Sequence, residues 1–167
     1  MMTFNEMLEA ELLEDEDEDE DTQEDKFLTF VLADEEYGIE IRYVTEIIGM
    51  QKITEVPDVP SYIRGVINLR GKVIPVMDVR LRFNLLERPY DDPTCIVVIN
   101  VAEQAVGLIV DRVSEVLDIP KDEIEPPPQV RKGSSSRFIQ GLGKVGDTVK
   151  ILLNAEKLLF DEGGLEQ

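Results

Sequence analysis

Asp78, Asp111, Glu115 and the serines at 134, 135 and 136 are the side chains on which acid–base or nucleophilic chemistry would draw. None stands in a spacing that catalysis uses. The chain has no histidine, so a serine nucleophile lacks its usual activating base, and imidazole-based metal sites fall with it. Asp111 and Glu115, four apart, would meet on one face only of a helix, where like charges repel; two solvated carboxylates are the simpler reading. Gly141, Gly143 and Gly146 have the texture of a phosphate loop but lie between strand-like segments and open no helix, as a hairpin turn would. Cys95, the one cysteine, sits in an apolar run and reads as a small buried hydrophobe. The acidic run at 14–21 lacks the glycine and the alternating spacing of a calcium loop. No enzymatic activity, metal or cofactor is expected.

Charge narrows the choice further. Of the 167 residues, 17 are basic and 36 acidic, a formal −19, opposite in sign to what phosphate-backbone recognition requires. No nucleic-acid partner is expected. Residues 1–25 hold 13 of the acids and no Lys or Arg. Within them Phe4, Met7, Leu8 and Leu12 have helical spacing, but a helix this short is marginal alone, and the acids that follow repel one another. The expected organisation is a disordered acidic leader over 1–25 and one domain over 26–167. Apolar runs such as 94–102 are far shorter than the roughly 20 residues that cross a bilayer, and no basic-then-apolar leader opens the chain. A cytoplasmic protein without membrane insertion is expected.

Strand signals begin at Phe27. The apolar, β-branched run 27–33 and Tyr37-Gly38-Ile39-Glu40-Ile41 read as one hairpin. Val66-Ile67-Asn68-Leu69 and Val73-Ile74-Pro75-Val76-Met77 read as a second, turning at Arg70-Gly71-Lys72, with Pro75 at an edge or bulge because it cannot donate to a ladder. Between the hairpins, Val44, Ile47 and Ile48 fall at helical or irregular spacing. Asn154 is a good N-cap for a helix over 155–160.

The second half repeats the first. Gly38 and Gly107, Val44 and Val113, Glu46 and Glu115 are each 69 apart, and Ile63 and Ile139, Gly65 and Gly141, Val73 and Val149 are each 76 apart. The difference falls near the Pro- and Ser-rich stretch at 126–136, where the second copy has a longer loop. Each copy spans about 70 residues, too small and strand-rich to bury its sheet alone. Two compact β-barrels sharing an apolar seam are the natural packing.

The repeat also isolates a functional candidate. Gly65-Val66-Ile67-Asn68-Leu69-Arg70-Gly71 aligns with Gly141-Leu142-Gly143-Lys144-Val145-Gly146-Asp147, and Arg70 has no basic counterpart. A turn needs Gly or Asn for its backbone but has no need of arginine, so Arg70 is a candidate for recognition. Glu46, which recurs as Glu115, is expected to serve structure in both copies.

Tyr37-Gly38-Ile39-Glu40-Ile41, Val44-Thr45-Glu46-Ile47, Ile53-Thr54-Glu55-Val56-Pro57, Tyr62-Ile63-Arg64-Gly65-Val66-Ile67-Asn68-Leu69-Arg70-Gly71 and Val73-Ile74-Pro75-Val76-Met77-Asp78 closely resemble the CheW family of bacterial chemotaxis coupling proteins. Val106-Gly107-Leu108-Ile109-Val110-Asp111 and Val113-Ser114-Glu115-Val116-Leu117 continue the likeness, which covers roughly 27–159 and leaves the leader outside. The resemblance implies an all-β fold with short helices: two SH3-like five-stranded β-barrels around a common hydrophobic core, with a C-terminal helix. It implies a non-enzymatic adaptor, monomeric when isolated, that joins the cytoplasmic tips of methyl-accepting chemoreceptors to the regulatory domain of the histidine kinase CheA and is recruited to membrane-associated receptor arrays. By the same resemblance, Val44, Glu46, Ile47 and Arg70 bind receptor, and the loop carrying Glu125 and Val130 touches the kinase. Three alternatives stay open on the sequence: a CheW-like regulatory module for a histidine kinase outside motility, a ligand-binding or enzymatic barrel, and a nucleic-acid binder.

Overall fold

A computed structural model describes residues 25–127 and 135–161. The leader expected at 1–25 therefore lies outside the described residues except for Asp25, as does Val130.

Eleven strands are described: β1 Lys26–Leu32, β2 Glu35–Glu40, β3 Val44–Gly49, β4 Ile63–Leu69, β5 Lys72–Asp78, β6 Cys95–Val101, β7 Gln104–Val110, β8 Arg112–Asp118, β9 Ile124–Glu125, β10 Ile139–Val145 and β11 Thr148–Leu153. Two short helices, α1 Val79–Arg82 and α2 Ala155–Phe160, follow β5 and β11. Each is capped by the side chain before it: Asp78 accepts from the Leu81 N–H, and Asn154 from the Lys157 N–H at 3.0 Å. Asp78 and Asn154 are 76 residues apart, so the repeat extends through the caps.

The strands form a six-stranded sheet, β8-β1-β2-β11-β10-β9, and a five-stranded sheet, β3-β6-β7-β5-β4. The fold is the expected all-β pair with a C-terminal helix, but barrel and repeat do not coincide. Each copy gives its first hairpin to the other copy's sheet: β1-β2 lies between β8 and β11, and β6-β7 between β3 and β5. A 70-residue copy is not a barrel; a barrel is built from both copies. Closure comes from the segment after each edge strand. Beyond β3 the chain crosses to β4, where Thr54 and Val66 exchange N–H···O bonds of 2.8 and 2.9 Å. Beyond β8 the short β9 pairs in the same way with β10.

This exchange explains why β1, β6 and β7 read as continuous apolar runs. Period two sends alternate side chains to opposite faces of a sheet, and here both faces are covered. Val97, Ile99 and Val101 enter a core common to both sheets, together with Leu28, Phe30, Leu32, Leu108, Phe138 and Leu158. Ile96 and Val98 enter a private core of the five-stranded sheet with Ile67, Ile74, Val76 and Ile109. Phe27, Ile119 and Leu152 form the corresponding private core of the six-stranded sheet.

Two local expectations are corrected. The segment 44–49 is a strand, not helical or irregular: its ladder to β6 slips by one residue between Val44 and Glu46. That bulge inserts Thr45 and shifts the alternation, so Val44 and Ile47 reach the common core while Ile48 packs on the private one. Pro75 lies in an interior strand, yet the β5–β7 ladder pairs only Val76, Met77 and Asp78, which leaves Pro75 bonded on one flank.

Candidate functional site

Arg70 and Glu46 meet across the closing seam of the five-stranded sheet. Arg70 begins the two-residue turn between β4 and β5, and both turn residues have positive φ, +52° at Arg70 and +87° at Gly71, the primed geometry that two-residue hairpins favour. The Asn68 side chain accepts from the Gly71 N–H at 2.8 Å and steadies it. Arg70 Nη2 then donates to Glu46 Oε1 on β3 at 2.6 Å, from the opposite edge of the sheet. The arginine side chain is 70% exposed and the glutamate side chain 22%, so the pair presents an open guanidinium above a half-buried carboxylate.

The other expected site residues divide. Ile47, partly buried, packs on the common core beside this pair. Val44 is 4% exposed, so its side chain offers no contact area of its own; it supports β3 from beneath. Glu125 is exposed on β9, where its side chain pairs with Lys144 of β10 at 3.6 Å. Glu46 and Glu115 occupy the same place in the repeat, but only Glu46 is given an arginine opposite. Glu115 is exposed and holds Thr29 through its main chain, with bonds of 2.8 and 3.1 Å.

A second concavity, of about 390 Å³, opens beside the Thr54 bridge, lined by Ile53, Glu55, Val56, Ser61, Ile63, Arg64 and Tyr90. It exists because Gly65, at φ +144°, lets the crossing segment lie on β4: a Cβ there would stand 2.1 Å from the Thr54 carbonyl oxygen. Arg64 rests over the Tyr90 ring at 5.8 Å and bonds Glu87 at 2.9 Å. Through the repeat, Thr54 against Val66 matches Glu125 against Leu142, so this concavity and the Glu125 loop are corresponding places on the two barrels. Sequence reading missed it because Tyr90 and Glu87 come from the connection between the copies, where the repeat gives no counterpart.

The carboxylates considered for catalysis serve structure. Asp111 is buried, not solvated. It takes both prongs of Arg80 at 2.7 Å, accepts from the Ala33 N–H at 3.0 Å, and lies 3.3 Å from Arg88. Burial alone would raise its pKa, but the Arg80 bonds, the Ala33 N–H and the two guanidinium charges outweigh it and hold the carboxyl below the usual range. Asp78 accepts from the Tyr90 hydroxyl at 2.7 Å. Burial and this partner raise the phenol pKa. Cys95 is half-buried and its thiol is pushed up by burial, which leaves it protonated and unreactive. Among the described residues, no group of three His, Cys, Asp or Glu side chains is placed to hold a metal, and no helix is long and apolar enough to cross a membrane.

Two interlocked barrels, each built from both copies, with an open ion pair on the closing seam of one, define a duplicated β-barrel class. Residues 26–162 match the CheW-like domain, and the chain belongs to this family. It is similar to the chemotaxis protein CheW of Klebsiella aerogenes, 39% identical over 82% of each chain, and to that of Treponema pallidum, 33% identical over 80% of this chain and 81% of the relative. Among solved structures, the scaffolding protein CheW of Thermoanaerobacter tengcongensis superposes with a TM-score of 0.75 at 38% identity, over 83% of this chain and 90% of that one.

Proposed function

We propose that this protein is a non-enzymatic chemotaxis adaptor that couples methyl-accepting chemoreceptors to the histidine kinase CheA, acting in the cytoplasm at membrane-associated receptor arrays and monomeric when isolated. The observation that carries the receptor side is Arg70, exposed on a turn whose backbone favours glycine and aimed across the seam at Glu46. A helical receptor tip laid over Ile47 would gain apolar contact, while the guanidinium, 70% exposed beyond its bond to Glu46, offers its outward N–H donors to a carboxylate or the carbonyl oxygens of a loop. Val44 contributes from below, as the residue that seats β3.

The kinase side is assigned to two corresponding faces, because a scaffold that alternates with a kinase domain of like architecture needs one on each barrel. The Glu125–Val130 loop is one; the concavity lined by Ile53, Val56, Arg64 and Tyr90 is its counterpart.

The test is titration of Arg70→Ala against a soluble receptor tip, with binding to the CheA regulatory domain measured in parallel. Loss of receptor affinity by tenfold or more with kinase binding retained supports the reading; receptor affinity within twofold of the parent rejects it. A charged residue at Val130 should weaken growth of the alternating adaptor–kinase assembly in light scattering and spare binary binding, and unchanged assembly removes that face from the proposal.

A further inference from the structure

Arg82, the last residue of α1, lies where the two halves meet their own images. It is 7% exposed. Its guanidinium sits between two rings, 4.5 Å from the Tyr62 centroid and 4.4 Å from that of Phe138, and Tyr62 and Phe138 are the same position of the repeat, 76 apart. Nε donates to the carbonyl oxygen of Leu158 at 2.8 Å, and Leu158 is the repeat counterpart of Arg82 itself. Nη2 adds the carbonyls of Asp161 at 2.6 Å and Lys157 at 3.4 Å. The frame around it is duplicated too: the Asp78 N–H bonds the Tyr62 carbonyl and the Asn154 N–H bonds the Phe138 carbonyl, both at 2.7 Å.

At this pseudo-twofold point one half supplies leucine and the other arginine. Leu158 is fully buried in the common core, so an apolar side chain is what the packing asks for. A guanidinium there carries a desolvation cost that packing does not require. In return its fork binds the C-terminal carbonyls of α2, sharing that of Lys157 with the Asp161 N–H and adding those of Leu158 and Asp161, and ties this end of the helix to α1 of the other half. The common core holds the barrels together, but apolar contact is non-directional. Three hydrogen bonds from one rigid plane, clamped between paired rings, fix a direction.

We propose that Arg82 is a positioning residue, the pin that sets the relative orientation of the two barrels and, through it, the geometry in which the bound partners face one another. The second half of this statement rests on the adaptor reading; the first does not.

Spin labels at Val73→Cys and Val149→Cys, 65% and 50% exposed and one on each sheet, in a Cys95→Ala background, report barrel–barrel distance by pulsed EPR on the free full-length chain. Arg82→Leu installs the repeat's own residue, and Arg82→Lys keeps the charge without the fork. In both, the distance distribution should widen at least twofold while unfolding stays a single cooperative transition. An unchanged width in whichever variant folds overturns the pin. In a second arm, each variant should bind a soluble receptor tip and the CheA regulatory domain within threefold of the parent, yet lose at least fivefold of receptor-dependent kinase activation. Parental activation overturns the functional half. A parent chain that binds neither partner rejects the adaptor reading and leaves the spin-label result standing.

Discussion

Arg70 and Gly146 hold the same place in the two halves, the first residue of a hairpin turn, and share its left-handed backbone at φ +52° and +58°. The second copy uses the residue this conformation favours. The first accepts the strain of a side chain there, of order 1 kcal/mol, in a turn where folding has no need of it. Arg70→Gly should therefore leave stability within about 1 kcal/mol of the parent, because relief of the turn offsets the loss of an exposed ion pair worth about 0–1 kcal/mol. Receptor affinity should still fall at least tenfold. Urea unfolding beside the receptor titration checks both halves; a parallel loss of stability would make Arg70 a folding residue.

Gly65 carries the opposite expectation. A methyl group there would meet the Thr54 carbonyl at 2.1 Å, so Gly65→Ala must break the bridge that closes the five-stranded barrel or move β4. Destabilisation of about 3 kcal/mol or more is expected. Gly49→Ala, with open space around its Cβ, should stay within about 1 kcal/mol, and thermal unfolding of the two variants side by side decides.

These residues also mark what was legible beforehand. Composition excludes histidine-based chemistry and weighs against a nucleic-acid partner, and the offsets of 69 and 76 announce a duplicated β fold. Arg70 stood out because its counterpart is Gly146. The exchange of first hairpins was hidden, since a repeat in the letters is equally consistent with each copy closing on itself. β3 was misread for a physical reason: one bulged residue turns a spacing of two into three, so positions 44, 47 and 48 imitate a helix. Val44 is a receptor contact by the resemblance alone, which carries no information about its burial at 4% exposure. Asp111 was read as solvated because Arg80, 31 residues earlier, cannot be paired with it by spacing.

Asp111 ties the β1–β2 turn, α1 and the 84–94 connection into one network, and its depressed pKa makes that network sensitive to acid. A carboxyl with a folded pKa below its unfolded value of about 3.9 adds stability that is fully present above that value and is lost as pH falls through the folded one. Asp111→Asn should cost about 2 kcal/mol at pH 7, since it removes the charge that faces partly buried Arg80 and leaves that guanidinium the Leu86 carbonyl as its remaining acceptor among the described residues. The variant should also show a shallower decline than the parent as pH falls below about 3.9. Chemical unfolding across this range measures both, and parallel curves would remove Asp111 from the acid limb.

The 13 acidic groups of residues 1–25 should act, on charge alone, at short range. Residues 1–25 bring 13 acidic groups beside a remainder of 23 acids and 17 bases, and screening over about 8 Å at physiological salt confines their field to partners already close. Deleting residues 1–24 keeps the Asp25 carbonyl that binds the Ile119 N–H at 2.7 Å, so the barrels should be unaffected. What should change is encounter: association with receptor tip or kinase domain is expected to shift severalfold at low ionic strength and by less than twofold in about 0.5 M salt, with dissociation rates constant. Stopped-flow rates at the two ionic strengths test this, because a charge effect must fade with screening whereas a docking contact would persist in the dissociation rate.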